Sequence, residues 1–346
     1  RSASLPSAPF KSGDKHRPIP ALAYAFVVTE TAAQTLEALN QAAQHLLSGG
    51  LVAFPTETVY GLGADAESES GIGKIYAAKN RPTDHPLIIH IAHVSDVEYF
   101  AQGVPSYAFA LMRDFWPGPM TLILPRTEKA ADFITGSQDS VGLRIPSHPI
   151  GLALLLAFRN AGGRGIAAPS ANRYGSVSPT DARAVQIELG EHLASDDMIL
   201  DGGSSEVGVE STIIDCTGSA PKILRPGAIT AAMIEQSTEM VVVDPGERRI
   251  RASGSHTQHY SPRAKVVIGE TPASGEGLIA LAAVQTPESV IRLAAPKTNE
   301  DYAAVLYSAL RSADEQELKV VYVVPPQGDD IAVAIRDRIQ RAAAGK

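Results

Sequence analysis

The chain has 346 residues, 44% of them hydrophobic, so it can bury a real core, and its length suggests about two domains. A formal net charge of −8 and a pI near 5.6 exclude a surface built for tight electrostatic binding to nucleic acid, which needs clustered Lys and Arg, but leave room for a local basic pocket. One cysteine, Cys216, excludes an internal disulfide framework and a thiolate zinc site, and it fits the reducing compartment of a cytoplasmic protein.

No run reaches the roughly 18 to 20 apolar residues that span a bilayer. Residues 1–29 are read as a disordered or expression-derived extension: the first part is rich in Pro, Ser and Lys and has no apolar core of a signal peptide. A transit peptide is the alternative there, because Asp14 is the only acid before Glu30. From Thr31 to Leu47 apolar residues recur at helical spacing, and Gly49-Gly50 closes the element. Leu51 to Phe54 reads as a buried strand stopped by Pro55. Gly61 and Gly63 are read as a turn that permits positive φ and close backbone approach, with Thr56, Thr58 and Tyr60 sharing one face of an extended segment.

Ser70 to Lys79 reads as a helix ended by the Arg81-Pro82 step, and Leu87 to Ala92 as a strand with His90 embedded in it. A lone histidine in such a strand is either a hydrogen-bonded core residue or a ligand contact. Val104 to Phe115 is expected to be helical, and Trp116 to Thr121 a rigid turn into the strand Leu122 to Leu124. Val141 to Ile145 is a strand carrying Arg144, which either faces solvent or, if buried, must meet an anion or a carboxylate. Helix 150–158, strand 166–168 and a helix 180–189 capped by Thr180 follow. Strands 198–201 and 211–215 flank the glycine- and hydroxyl-rich loop GGSSEVGVEST, and strand 223–224 and helix 231–236 close a first domain at 30–236. Cys216 reads as a half-buried strand residue rather than a nucleophile. Residues 237–262 mix Gly, Pro, Ser and basic residues without apolar period, the mark of a long and functional linker. Residues 263–346 alternate strands 265–268, 277–282, 289–293 and 320–324 with helices 301–313 and 329–344, a small α/β domain.

The chain has no GxxxxGK[ST] loop, no GxGxxG in a strand-turn-helix context, no HExxH or paired metal spacing among its histidines, and no GxSxG. What recurs is a set of cations beside turns, Lys79, Arg81, Arg144 and Arg225, accompanied by hydroxyls at Thr83, Ser140, Thr121, Ser170, Ser178, Ser211 and Thr212. Cations with hydroxyls and glycine amides suit a polyphosphate or carboxylate ligand, because charge-assisted hydrogen bonds are roughly twice as strong as neutral ones.

All of these residues but Ser140 and Ser178 fall in seven ordered motifs: PTETVYGLG at 55–63, KNRPTDHPLIIHI at 79–91, PGPMT at 117–121, VGLRIPSHP at 141–149, APSAN at 168–172, VESTIID at 209–215 and RPG at 225–227. Together they resemble the threonylcarbamoyl-AMP synthase family, the YrdC/Sua5 group, and HYSP at 259–262 with the α/β tail resembles its two-domain Sua5 form. The resemblance implies an α/β fold, a YrdC-like twisted mixed sheet with flanking helices and a concave cavity, plus a smaller Rossmann-like C-terminal domain. It implies a reaction of L-threonine, bicarbonate and ATP, with Mg2+ accompanying the nucleotide, to threonylcarbamoyl-AMP and pyrophosphate, the first step of N6-threonylcarbamoyladenosine formation in tRNA. A downstream tRNA threonylcarbamoyl transferase is the implied partner, and direct tRNA binding is expected to be weak.

By the family's pattern Thr56, His90, Arg144, Ala168 and Ser211 hold threonine, while Lys79, Thr83, Ser140, Ser170, Asn172, Ser178, Arg225 and Tyr260 contact ATP. Lys79, Arg81 and Arg144 are the expected catalytic cations, dedicated metal ligands are not readable, and Tyr260 is expected to fold over the nucleotide from the linker. The linker lacks the Met-Lys step that many two-domain members carry before His259. Two other readings stand beside this one: an RNA-binding module of the same fold, disfavoured by net acidity, and a carbamoyl-transfer domain of a hydrogenase-maturation enzyme, whose zinc-finger segments one cysteine cannot supply.

Overall fold

The computed structural model describes residues 30–243, 246, 250, 251, 260–269 and 271–345, with side chains from residue 35 onward. The expectations for residues 1–29, for His259 and for most of the linker lie outside the described residues. The chain divides into two units, Arg1–Ala38, described as helical from Glu30, and Leu39–Lys346.

Helix α1 (Glu30–Leu47) leads into β1 (Val52–Phe54), β2 (Gly61–Asp65), α2 (Glu69–Lys79) and β3 (Ile88–His90). Next come α3 (Val97–Phe100), α4 (Ser106–Phe115), β4 (Met120–Pro125), α5 (Asp132–Thr135), β5 (Ser140–Arg144), α6 (Pro149–Asn160) and β6 (Ile166–Ala167). Helix α7 (Ala182–Leu189), β7 (Met198–Ile199), β8 (Thr212–Asp215), β9 (Lys222–Arg225) and α8 (Ala231–Thr238) complete the larger module. Its nine strands form one mixed sheet in the order β7-β1-β2-β6-β3-β5-β4-β8-β9. The smaller module holds β10 (Lys265–Ile268), β11 (Gly277–Ile279), β12 (Ile291–Ala294), α9 (Asn299–Glu315), β13 (Val320–Val323) and α10 (Ala332–Ala343), and its four strands pair in parallel in the order β10-β13-β11-β12.

Several local expectations are corrected. The GLG stretch is strand β2, antiparallel to both β1 and β6, and neither Gly61 nor Gly63 has positive φ. Gly63 is there for close approach: a Cβ would stand 2.7 Å from Ile166 Cγ2 and 2.9 Å from the Phe54 ring. Residues 57–59 form a bend, not an extended run, because Thr56 Oγ1 accepts from the amides of Thr58 and Val59 and donates to Val59 O at 2.6 Å. Helix α2 ends on Asn80 in the left-handed region at φ 52, which swings Arg81 away from the helix axis. Asp181, not Thr180, caps α7, its carboxylate accepting Ala184 N at 2.7 Å. Cys216 is fully buried just past β8.

One apolar core lies between the large sheet and α2, α4 and α8, and a second sits where α1 from Leu39 onward meets α6. The core of the smaller module is continuous with the larger one: Val59, Val177 and Val209 pack in the same cluster as Tyr260, Tyr302, Leu306, Tyr307 and Ile335. Gly208 permits this docking, since at φ +74 it turns the loop before β8 so tightly that a Cβ would lie 2.4 Å from Ala303 O of α9.

Candidate active site

The strand ends and turns converge on a cleft. Its lining brings together nine of the expected residues: Thr56, Arg81, His90, Arg144, Ala168, Ser170, Ser211, Arg225 and Tyr260. They arrive from the turn after β1, the C-terminal end of α2, strands β3, β5 and β9, the segment after β6, the loop before β8, and the linker.

Arg144 is not surface-facing. It is 4% exposed, its Nη2 donates to Glu57 Oε1 at 2.7 Å, and its Nε donates to Gly118 O at 3.3 Å. Glu57 is the carboxylate that a buried arginine requires, and its second oxygen accepts Ser147 N at 3.0 Å. His90 pairs in register with Arg144 across β3 and β5 and meets the Phe54 ring edge-on at 5.9 Å. Burial first, and then the Arg144 charge, push its imidazole down to about 3, so it is neutral near pH 7. Its Nδ1 is buried with no hydrogen-bond partner among the described residues, as is Arg81 Nε. Arg81 donates from Nη2 to Pro86 O at 3.1 Å and lies 6.0 Å from the Tyr174 ring centroid, and its own burial lowers its pKa.

On the far wall Arg225 clamps the loop before β8: its Nε and Nη2 both donate to Ser211 O, and Nη2 also reaches Ser211 Oγ at 3.1 Å. Ser211 Oγ lies 2.8 Å from Thr121 Oγ1. The next residue back, Glu210, also lines the cleft, with Ser178 Oγ donating to it at 2.6 Å. Burial would raise the Glu210 carboxyl, but Arg338 and then Arg225 outweigh it and hold it at about 2.

Five expected residues are not in this lining. Lys79, expected to face phosphate, is 1% exposed and turned under the segment after β6, where its Nζ donates to Ser170 O at 2.6 Å and to Asn172 O. Burial, and then Arg81, lower its pKa well below the lysine range. Asn172 is also buried, its amide donating to Arg173 O and Ser176 O at 2.8 Å each. Ser178 touches the cleft only through Glu210. Thr83 is exposed in the loop after α2. Ser140 lines a separate recess with Ile88, Ile123, Gln138, Gly142, Ile213 and Arg251, and because Ile88 lines both spaces the recess adjoins the cleft. Sequence reasoning missed Glu57 and Glu210, although both sit inside quoted motifs, and missed Arg338, which no motif marks.

Residues 44–227 match the family model described as Telomere recombination, and residues 229–344 match the one described as Threonylcarbamoyl-AMP synthase, C-terminal domain. A threonylcarbamoyl-AMP synthase of Bacillus subtilis is 38% identical over 331 residues, covering 89% of this chain and 93% of that protein. A threonylcarbamoyl-AMP synthase of Pyrococcus abyssi is 37% identical, covering 87% of this chain and 93% of that one. The crystal structure of P. abyssi Sua5 complexed with L-threonine superposes with a TM-score of 0.81 at 35% identity, over 90% of this chain and 95% of that chain.

Proposed function

The chain belongs to the threonylcarbamoyl-AMP synthase family in its two-domain form, and from that premise we propose that the cleft is where L-threonine, bicarbonate and ATP become threonylcarbamoyl-AMP and pyrophosphate. The observation that carries this reading is three guanidinium groups, of Arg81, Arg144 and Arg225, converging on one small cleft that also presents hydroxyls of Thr56, Ser170 and Ser211. Two anionic reactants must be held side by side there, a carboxylate and a polyphosphate.

In the reaction, the threonine amine joins bicarbonate to give a carbamate with loss of water. A carbamate oxygen then attacks the α-phosphorus of ATP and pyrophosphate leaves. Both steps need positioning and charge neutralisation more than a covalent nucleophile. Arg144, fixed by Glu57 and Gly118 O, meets the threonine carboxylate without reorganising. Neutral His90, with its unused Nδ1, and the Thr56 turn offer hydrogen bonds to the rest of the amino acid. Arg81, Arg225 and Ser170 face the phosphates, and the base and ribose extend over Ile88 toward the Ser140 recess. Lys79, Asn172 and Ser178 act behind the wall, as supports of Ser170 and Glu210.

Mg2+ enters with the nucleotide substrate in this reading, because ATP chemistry needs it to neutralise phosphate charge. No described helix is long and apolar enough to cross a membrane, and we place the reaction in the cytoplasm, with the labile product passed to a tRNA threonylcarbamoyl transferase. The arginines of the cleft are buried and each is already held from inside the protein, which fits a small anionic ligand and not an RNA duplex. The test is pyrophosphate release with ATP, threonine and bicarbonate supplied singly and together. Release that requires all three is expected, and release without threonine overturns the reading.

A further inference from the structure

The cleft carries three guanidinium groups and, opposing them, the carboxylate of Glu210. A carboxylate in the wall of an anion site repels the ligand the site is built to hold, by an amount that grows as water is excluded. Arg225 offsets part of it from within the larger module, and the ion pair against it comes from the smaller one. Arg338 of α10 is fully buried and outside the lining, and its Nε donates to Glu210 Oε2 at 2.8 Å. Its Nη2 donates to Pro226 O at 3.0 Å, next in the chain to Arg225, and its Nη1 donates to Asp337 at 2.7 Å. The Tyr307 hydroxyl of α9 donates to the same Glu210 oxygen at 2.9 Å.

These groups also hold the linker residue. The Tyr260 ring is stacked on Tyr307, with centroids 5.6 Å apart and planes 28° from parallel, and the Arg338 guanidinium carbon lies 5.3 Å from its centroid. Tyr260 keeps a backbone φ of 63, a conformation that a bulky residue adopts only when its surroundings over-determine it. Arg338 and Tyr307 thus touch two lining residues of the cleft, one charged and one aromatic.

We propose that Arg338 is a positioning residue through which the C-terminal module completes the active site: it cancels the Glu210 charge and fixes Glu210 and Tyr260 in the wall, so that the ATP polyphosphate meets an electropositive cleft. The smaller module is then part of the catalytic apparatus and not an appended domain. This rests on reading the cleft as the ATP site. The wild-type requirement for all three substrates tests that reading, and ratios between variants test this one.

The experiment is steady-state pyrophosphate release by the full-length protein, with KM for ATP and for threonine measured separately. Arg338→Met leaves Glu210 uncompensated and is expected to raise the ATP KM about tenfold while moving the threonine KM less than about threefold. Glu210→Gln removes the repelling charge and is expected to lower the ATP KM. The double variant Glu210→Gln/Arg338→Met recovers most of the ATP KM lost in Arg338→Met. Opposite signs for Glu210→Gln and Arg338→Met, with rescue in the double variant, cannot come from loss of packing between modules. A wild-type ATP KM in Arg338→Met, or a double variant as impaired as Arg338→Met alone, overturns the proposal. If circular dichroism shows that Arg338→Met does not fold, a raised ATP KM in Glu210→Gln overturns it instead.

Discussion

Arg144 Nη2 and Glu57 Oε1 stand 2.7 Å apart with both side chains almost fully buried, tying the end of β5 to the turn after β1. Because Glu57 also accepts Ser147 N, one carboxylate orients the arginine and the chain just beyond it. Breaking a buried pair by removing one partner costs about 3–5 kcal/mol, since the other charge is left uncompensated. Glu57→Ala is therefore expected to lose stability of that order in urea unfolding and to raise the threonine KM, while Glu57→Gln, which still accepts hydrogen bonds, loses less. Wild-type stability and threonine KM in Glu57→Ala would show that the pair sets neither.

Lys79 makes a different prediction from the one its motif suggests. Its Nζ serves the carbonyls of Ser170 and Asn172, and a methionine there leaves the half-buried Ser170 carbonyl and the buried Asn172 carbonyl without their donor, the buried one at a cost of about 1–3 kcal/mol. Lys79→Met is expected to lower both the melting temperature and kcat. The pH dependence has a definite sign. With the folded pKa below the usual 10.5, the unfolded chain binds the extra proton, so stability rises with pH from the lowered pKa up to 10.5. Lys79→Met should flatten that limb. A variant with wild-type stability and only a raised ATP KM would place Lys79 on the phosphate instead.

Element order was legible because the cues are local: Gly-Gly after α1, Pro55 after β1, and alternating strands and helices beyond 263. Strand β2 was not, because its glycines carry a turn signal and only the facing Ile166 side chain and Phe54 ring explain why no Cβ fits. The cations of the cleft were legible as a class, since charge beside turns points to an anion. Which of them face it was not. Lys79 and Arg81 are two residues apart, yet the left-handed Asn80 between them sends one under the wall and the other into it. Arg338 lay in an ordinary amphipathic helix, and its meeting with Glu210 across 128 positions is a product of tertiary packing alone.

His90 is buried as the neutral form, and its pKa falls from 6.5 to about 3 through burial and the Arg144 charge. The unfolded chain takes up the proton first as pH falls through 6.5, so the histidine's contribution to stability is complete above 6.5 and is lost on the way down to about 3. His90→Asn should remove that dependence and weaken threonine binding. In a histidine-selective NMR titration the His90 imidazole is expected to stay neutral at about pH 5, unlike exposed histidines with ordinary values. A midpoint near the ordinary value would contradict the burial described for it.

Glu210 gives the acid limb a second source with its own window. Its carboxyl is held at about 2 against an ordinary 4.5, so the folded protein stays ionised where the unfolded chain protonates. The stability this supplies is complete above 4.5 and is lost as pH falls toward 2, in total about 3 kcal/mol. Glu210→Gln should flatten this part of the urea-unfolding profile while leaving the His90 slope between 4.5 and 6.5 in place. Arg338→Met should flatten it too, since the same guanidinium that lowers the carboxyl pKa is what the acid limb measures. If Glu210→Gln lost the slope and Arg338→Met kept it, the low pKa would have to come from Arg225 and Ser178, and the charge balance of the wall would lie within the larger module.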